Sequence, residues 1–160
     1  MSNNMETSGK KGRFTFRAAA VLFVVSAAFE LFSITSEVPL FGAIIGGTGV
    51  GIYHLVYAAL FLALGVGLWS ATQWGYFLVF VTVSIYTIDK LQFILSRQAM
   101  ESFISKQIGI YESELLSQGI DKAMISQAIV LMTVLVILCW WGFALYAYIR
   151  RDYFQSAKDA

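Results

Sequence analysis

Glu30, His54 and the adjacent Asp89 and Lys90 are ionisable residues set inside long apolar stretches. A lone charge is costly in hydrocarbon. Insertion scales give about 2.5–3.5 kcal/mol for Asp, Lys or Arg at mid-span, and less toward the edge. A carboxyl lowers that cost by keeping its proton or by pairing. Such residues therefore mark either a proton, ion or ligand site or a polar layer that holds helices together. Spacing adds two tyrosines. Tyr86 lies three residues before Asp89 and four before Lys90, and Tyr57 lies three after His54, so each shares a helix face with a charged residue. Thr82 shares the Asp89 face, and Tyr53 adjoins His54. The candidate site is Glu30, His54, Tyr57, Tyr86, Asp89 and Lys90.

The elements that carry these residues are membrane spans. Of 160 residues, 58% are hydrophobic and only 13% are charged, and the mean hydropathy is +0.70. Soluble domains are closer to 45–50% apolar and about 25% charged. A helix needs about 20 apolar residues to cross about 30 Å of hydrocarbon. Four stretches reach that length, at residues 17–35, 51–70, 74–95 and 126–149. They are continuously apolar, unlike the alternating strands of a barrel, and helix is the form that satisfies the backbone in lipid. The expected fold is an all-α integral membrane four-helix bundle, a single four-span domain over residues 1–160. The ends, 1–12 and 153–160, read as disordered. The first span resembles a secretory signal, with Lys10, Lys11, Arg13 and Arg17 before an apolar run. That run continues long enough to span, so it reads as uncleaved.

Positive charge sets the expected orientation. Lys10, Lys11, Arg13 and Arg17 precede span one, Arg150, Arg151 and Lys158 follow span four, and the first connection has no Lys or Arg. Both termini are then cytoplasmic, in an inner (plasma) membrane. Trp69 and Trp74 bracket the tight turn between spans two and three as interfacial anchors, whereas Trp140 and Trp141 lie deeper, where they suit packing between helices. Counted at about 1.5 Å per residue, Glu30 lies roughly 20 Å, His54 roughly 24 Å and Asp89 roughly 22 Å above the cytoplasmic edge. Three separate counts give one layer in the outer half of the membrane.

Two connections face outward. The first, residues 36–50, is apolar and rich in glycine, suited to dip into the interface or to cover the bundle. The second contains an amphipathic segment, 97–118, with Met100, Ile104, Ile108, Tyr111 and Leu115 on one face. It is read as an extra outer helix between spans three and four, lying on the membrane, capping the bundle or meeting a partner. Extension of span three is the alternative. In span two, Ala59, Ala63, Gly67 and Ala71 recur every four residues and form a small-residue stripe, either for close packing against span three or as an oligomer seam.

Several chemistries are disfavoured. The net charge of +1 offers no basic surface for nucleic acid. The single cysteine, Cys139, permits no internal disulfide, and the single histidine excludes bis-histidine haem within one chain. No metal-ligand spacing, nucleophile–His–acid pattern or phosphate-binding glycine loop is evident. The chain therefore reads as a non-enzyme, with no catalytic residues, no metal and no cofactor that the sequence names. A lone Glu in span one of a short four-span chain resembles the small multidrug transporters, in architecture and in that acid alone. The chain is longer, carries the extra outer helix and shows no further matching motif. The resemblance implies that Glu30 exchanges a proton for a cation, with Tyr57 lining the pocket. The reading preferred from the residues is a non-catalytic subunit or helper of a larger membrane assembly. The alternative is a small proton- or cation-coupled transporter using Glu30 as an oligomer. The expected partners are the bilayer and either further copies or a larger membrane complex.

Overall fold

A computed structural model describes residues 12–41, 43–109 and 111–155. Four long apolar helices dominate it: α1 (Arg13–Phe32), α2 (Thr48–Trp69), α3 (Gln73–Leu95) and α6 (Lys122–Ile149), of 20, 22, 23 and 28 residues. Between α1 and α2 lies a hairpin of β1 (Val38–Leu40) and β2 (Ala43–Ile45). Between α3 and α6 lie α4 (Arg97–Ile108) and α5 (Glu112–Ser117), and the short α7 (Asp152–Gln155) closes the chain. One end of the bundle holds the turn at residues 70–72, and the other carries the hairpin and α4.

Local chemistry sets the helix boundaries. Thr72 caps α3, its Oγ1 accepting from the Gly75 amide at 3.3 Å. Ser96 does the same for α4 through the Ala99 amide at 3.3 Å. Asp121 caps α6 through the Met124 amide at 2.7 Å. The Ser96 cap, with extended backbone, breaks the chain between α3 and α4, so the amphipathic segment is not an extension of the third span. Nor is it one helix over 97–118, because it stops at Ile108 and resumes as α5. Gly119, at φ 78, ends α5. The Ile120 amide reaches the Leu115 carbonyl and the Gly119 amide the Leu116 carbonyl, the hydrogen-bond pattern of a Schellman cap.

In lipid, apolar side chains gain little from burial alone, so close fit and hydrogen bonds hold helices together. The most extensive seam joins α1 to α2. A Cβ placed on Gly65 would lie 3.0 Å from Val24 Cγ2 and 3.1 Å from the Ala20 carbonyl. The core runs from Phe16 and Ala20 through Phe61, Leu64 and Leu68 to Val79, Val83, Ala144 and Ala147. Trp140 of α6 fills its middle, with ring centroids 5.2 Å from Phe23, 6.2 Å from Phe61 and 5.1 Å from Tyr86. A second cluster, Phe93, Ala99, Met100 and Ile104 with Ile125 and Ile129, packs α4 across the ends of α3 and α6. The amphipathic segment therefore caps this end of the bundle.

The structure corrects four expectations. The fold is mostly rather than wholly helical, because the first connection forms a two-stranded hairpin, register Val38 with Ile45 and Leu40 with Ala43. The first span runs from Arg13 to Phe32, and the fourth begins at its Asp121 cap. Residues 153–155 are helical rather than disordered. Tyr153 and Phe154 are buried against Phe16, the first stacked at 4.6 Å and the second edge-on at 5.0 Å, and the Tyr153 hydroxyl donates to the Leu68 carbonyl at 2.9 Å. The rest of the two expected disordered ends, 1–11 and 156–160, lies outside the described residues. The small-residue stripe is not one seam. Ala59 is exposed, Ala63 is half-buried, and Ala71 lies beyond the helix in the turn, at φ 54. Gly67 makes the close approach expected of the stripe: a Cβ there would lie 2.6 Å from Gly75 Cα. The reason is helical pitch. Each four-residue step drifts about 40° round a helix of 3.6 residues per turn, so residues twelve apart do not share a face.

Candidate functional site

The hairpin end holds the ionisable residues in two groups, both anchored on the first turns of α2. His54 is 5% exposed. Its Nδ1 lies 2.6 Å from Glu30 Oε2 on α1, and its Nε2 lies 3.1 Å from the Ser36 carbonyl. A carbonyl oxygen only accepts, so Nε2 carries a hydrogen and donates to it. Nδ1 then either accepts from a protonated Glu30 or donates to an ionised one. Both arrangements leave the pair neutral overall. Glu30 can occupy this depth because α1 continues past it to Phe32, and because α2 begins early enough to bring His54 to the same level.

The second group lies between α2 and α3. The Tyr53 hydroxyl donates to Asp89 Oδ2 at 3.0 Å, and Lys90 Nζ reaches the same oxygen at 2.8 Å. The Lys90 ammonium also sits 5.4 Å from the centre of the Tyr86 ring, within reach of its negative face. Asp89 is 8% exposed, yet its Oδ1 has no hydrogen-bond partner. The Tyr57 ring lies tilted against Tyr53 with centroids 4.7 Å apart, and its buried hydroxyl lies near Asp89 without closing a hydrogen bond. Thr82, fully buried about two turns lower on the same face of α3, also has a hydroxyl oxygen without a hydrogen-bond partner.

All six candidate residues therefore lie in one layer, but as two units. Glu30 with His54 forms one. Asp89 with Lys90, flanked by Tyr86 and Tyr57, forms the other. Tyr53 and His54, adjacent in sequence and 5.4 Å apart edge to face, join them. Tyr53 is the site residue that spacing from the charged residues does not single out. Its signal is its position four before Tyr57, on the side of α2 that faces α3.

A roof covers the layer. The Gln92 side chain clamps the hairpin, accepting from the Phe41 amide at 2.6 Å and donating to the Pro39 carbonyl at 3.1 Å. An ion pair between Lys106 of α4 and Glu37 ties the hairpin base to that helix. Beneath this roof, between α3 and α6, is a cavity of about 350 Å³. Tyr53, Tyr86, Asp89 and Lys90 line one side, and Pro39, Phe93, Phe103, Ile129 and Val136 line the others. No group of three or more His, Cys, Asp or Glu side chains comes together among the described residues. Cys139 is exposed on α6.

A family described as "Predicted membrane protein (DUF2127)" is similar to residues 48–94 of the chain. That stretch takes in α2, the turn and nearly all of α3, hence Tyr53, His54, Asp89 and Lys90 but not Glu30. No curated protein and no solved structure matches the chain. With its four long apolar helices, the chain is a multi-pass helical membrane protein.

Proposed function

We propose that this protein is a non-catalytic subunit or helper of a larger membrane assembly, with both termini in the cytoplasm and the polar layer in the outer leaflet. The observation that carries this reading is the pairing of charges inside the chain. Glu30 is taken up by His54, and Lys90 by Asp89. A coupled carrier needs an acid free to exchange its proton for cargo, and this layer instead uses its acids to join helices. The cation-exchange role implied for Glu30 is therefore the lesser reading. The long α6 adds support. Leu131, Met132, Leu135, Leu138 and Leu145 are all exposed along it, which leaves an apolar helix surface available to a partner span.

Affinity capture of the full chain at native abundance in mild detergent tests the proposal. The helper reading expects a reproducible second membrane polypeptide in stoichiometric amount. Recovery of a lone monomer would overturn it.

The carrier keeps one specific observation in its favour, the unpartnered Asp89 Oδ1 beside a cavity. It requires Glu30→Gln to abolish transport while fold and assembly persist.

A further inference from the structure

Arg13 and Arg17 stand four residues apart in α1, about one turn, at the end of the bundle that holds the turn. Among the described residues no salt bridge joins either of them to a carboxylate. Arg13 is exposed. Arg17 is half-buried, its guanidinium 4.9 Å from the centre of the Trp69 ring on α2. Such a contact fixes the cation and leaves N–H donors for an anion. Both arginines line an open basin of about 490 Å³ together with Val21 and Trp69. Deeper between α1 and α2 runs an apolar groove of about 300 Å³, lined by Val25, Gly65 and Val66. Val21 and Trp69 line the groove as well as the basin, so the two form one cleft. Among the described residues that line it there is no Asp or Glu. Val66 is 55% exposed, so the groove opens sideways, where acyl chains lie. From Arg13 to Val25 is twelve residues, about 18 Å along α1 at 1.5 Å per residue. One leaflet of hydrocarbon is about 15 Å deep, half of the bilayer core. The cleft therefore joins a cationic mouth to an apolar slot of acyl-chain length.

We propose that this cleft between α1 and α2 binds an anionic phospholipid. The phosphate accepts from Arg13 and Arg17, and one acyl chain lies in the groove toward Val25. Guanidinium groups suit phosphate because their planar donors match its oxygens. Basic pockets beside membrane helices recognise anionic headgroups in this way. Phosphatidylglycerol carries the net negative charge that two arginines without salt bridges complement. Phosphatidylethanolamine of the same chain length fits the groove and carries the phosphate, but its ammonium finds no acid in the lining. The proposal is independent of whether the chain joins a larger assembly and of which side of the membrane holds the termini.

Native mass spectrometry of the full chain in detergent, titrated separately with phosphatidylglycerol and phosphatidylethanolamine of matched chains, tests it. Phosphatidylglycerol is expected to bind about tenfold more tightly, with one lipid per chain retained. Arg17 also lies near the Tyr153 hydroxyl, so its replacement would disturb packing as well as binding. Arg13→Gln changes an exposed residue and is expected to remove most of the preference with the fold intact. Arg151→Gln removes an exposed charge outside the cleft and is expected to keep the preference. Val66→Trp, which fills the groove from an exposed position, is expected to weaken phosphatidylglycerol binding at unchanged thermal stability. Equal binding of the two lipids to the wild type would overturn the proposal. Equal losses from Arg13→Gln and Arg151→Gln would do the same, by assigning the preference to the general charge of this end. Undiminished binding to Val66→Trp would place the acyl chain elsewhere. A lipid-free dimer that Val66→Trp dissociates would give the groove to a second copy, and either result would overturn the proposal. The wild-type comparison decides the matter even where a variant fails to fold.

Discussion

Ser36 fixes the tautomer of His54, and that single backbone contact gives the Glu30 pair a testable asymmetry. Glu30→Gln can still donate to Nδ1 while Nε2 donates to Ser36, so the bond survives. Glu30→Leu leaves a buried nitrogen without a partner and is expected to destabilise by about 1–3 kcal/mol. Unfolding in mixed detergent micelles measures both, and equal losses would contradict the pairing. Tyr153 provides a second residue-level prediction, outside the spans. Burial pushes its hydroxyl pKa up, with partial opposition from Arg17 and Arg13. A raised pKa means the folded state holds the proton after the unfolded chain has lost it. This contribution to stability is intact below the unfolded value of about 10 and is lost as pH rises toward the folded value. The alkaline loss of stability above about pH 10 is therefore expected to be shallower in Tyr153→Phe than in the wild type. Identical slopes in pH-dependent melting would refute that assignment. Residue by residue, much of the layer was legible, because depth along a helix follows from counting. The Glu30–His54 pair could be anticipated that way. The bond from Tyr53 to Asp89 could not, because it depends on the rotation of α2 against α3.

Elements are held by a few specific contacts, and each predicts a different failure. Gly67 and Gly75 bring α2 and α3 together beside the turn, where an added Cβ on Gly75 would lie 2.5 Å from the Gly67 carbonyl carbon. Gly67→Leu is expected to cost about 1–3 kcal/mol or more by overpacking, whereas Ala59→Leu, on an exposed position, is expected to leave unfolding in detergent unchanged. A large loss from Ala59→Leu would restore the packing role expected of the whole stripe. At the other end, Gln92→Ala removes both bonds that clamp the hairpin. Amide exchange over residues 38–45 is expected to accelerate while the helices keep their protection. Unaltered exchange would show that the Glu37–Lys106 pair suffices. The spans were readable from hydropathy and length alone. The hairpin was not, because three-residue strands leave no periodicity, and Gln92 meets Pro39 across 53 positions of sequence. The stripe misled because small residues four apart look aligned in sequence while drifting round the helix.

The whole molecule is a four-span bundle closed at its centre by Trp140 and roofed at one end by a hairpin and an amphipathic helix. Its ionisable layer lies under that roof. If the layer is an internally neutral joint, as its pairing suggests, function resides in what the bundle binds at its sides. Proton flux separates such a joint most directly from a carrier. The measurement is acidification of the lumen of liposomes holding the purified full chain, under an imposed proton gradient, for wild type and Glu30→Gln. A neutral joint predicts the same rate for both, no faster than protein-free liposomes. Proton uptake by the wild type that Glu30→Gln abolishes would contradict it.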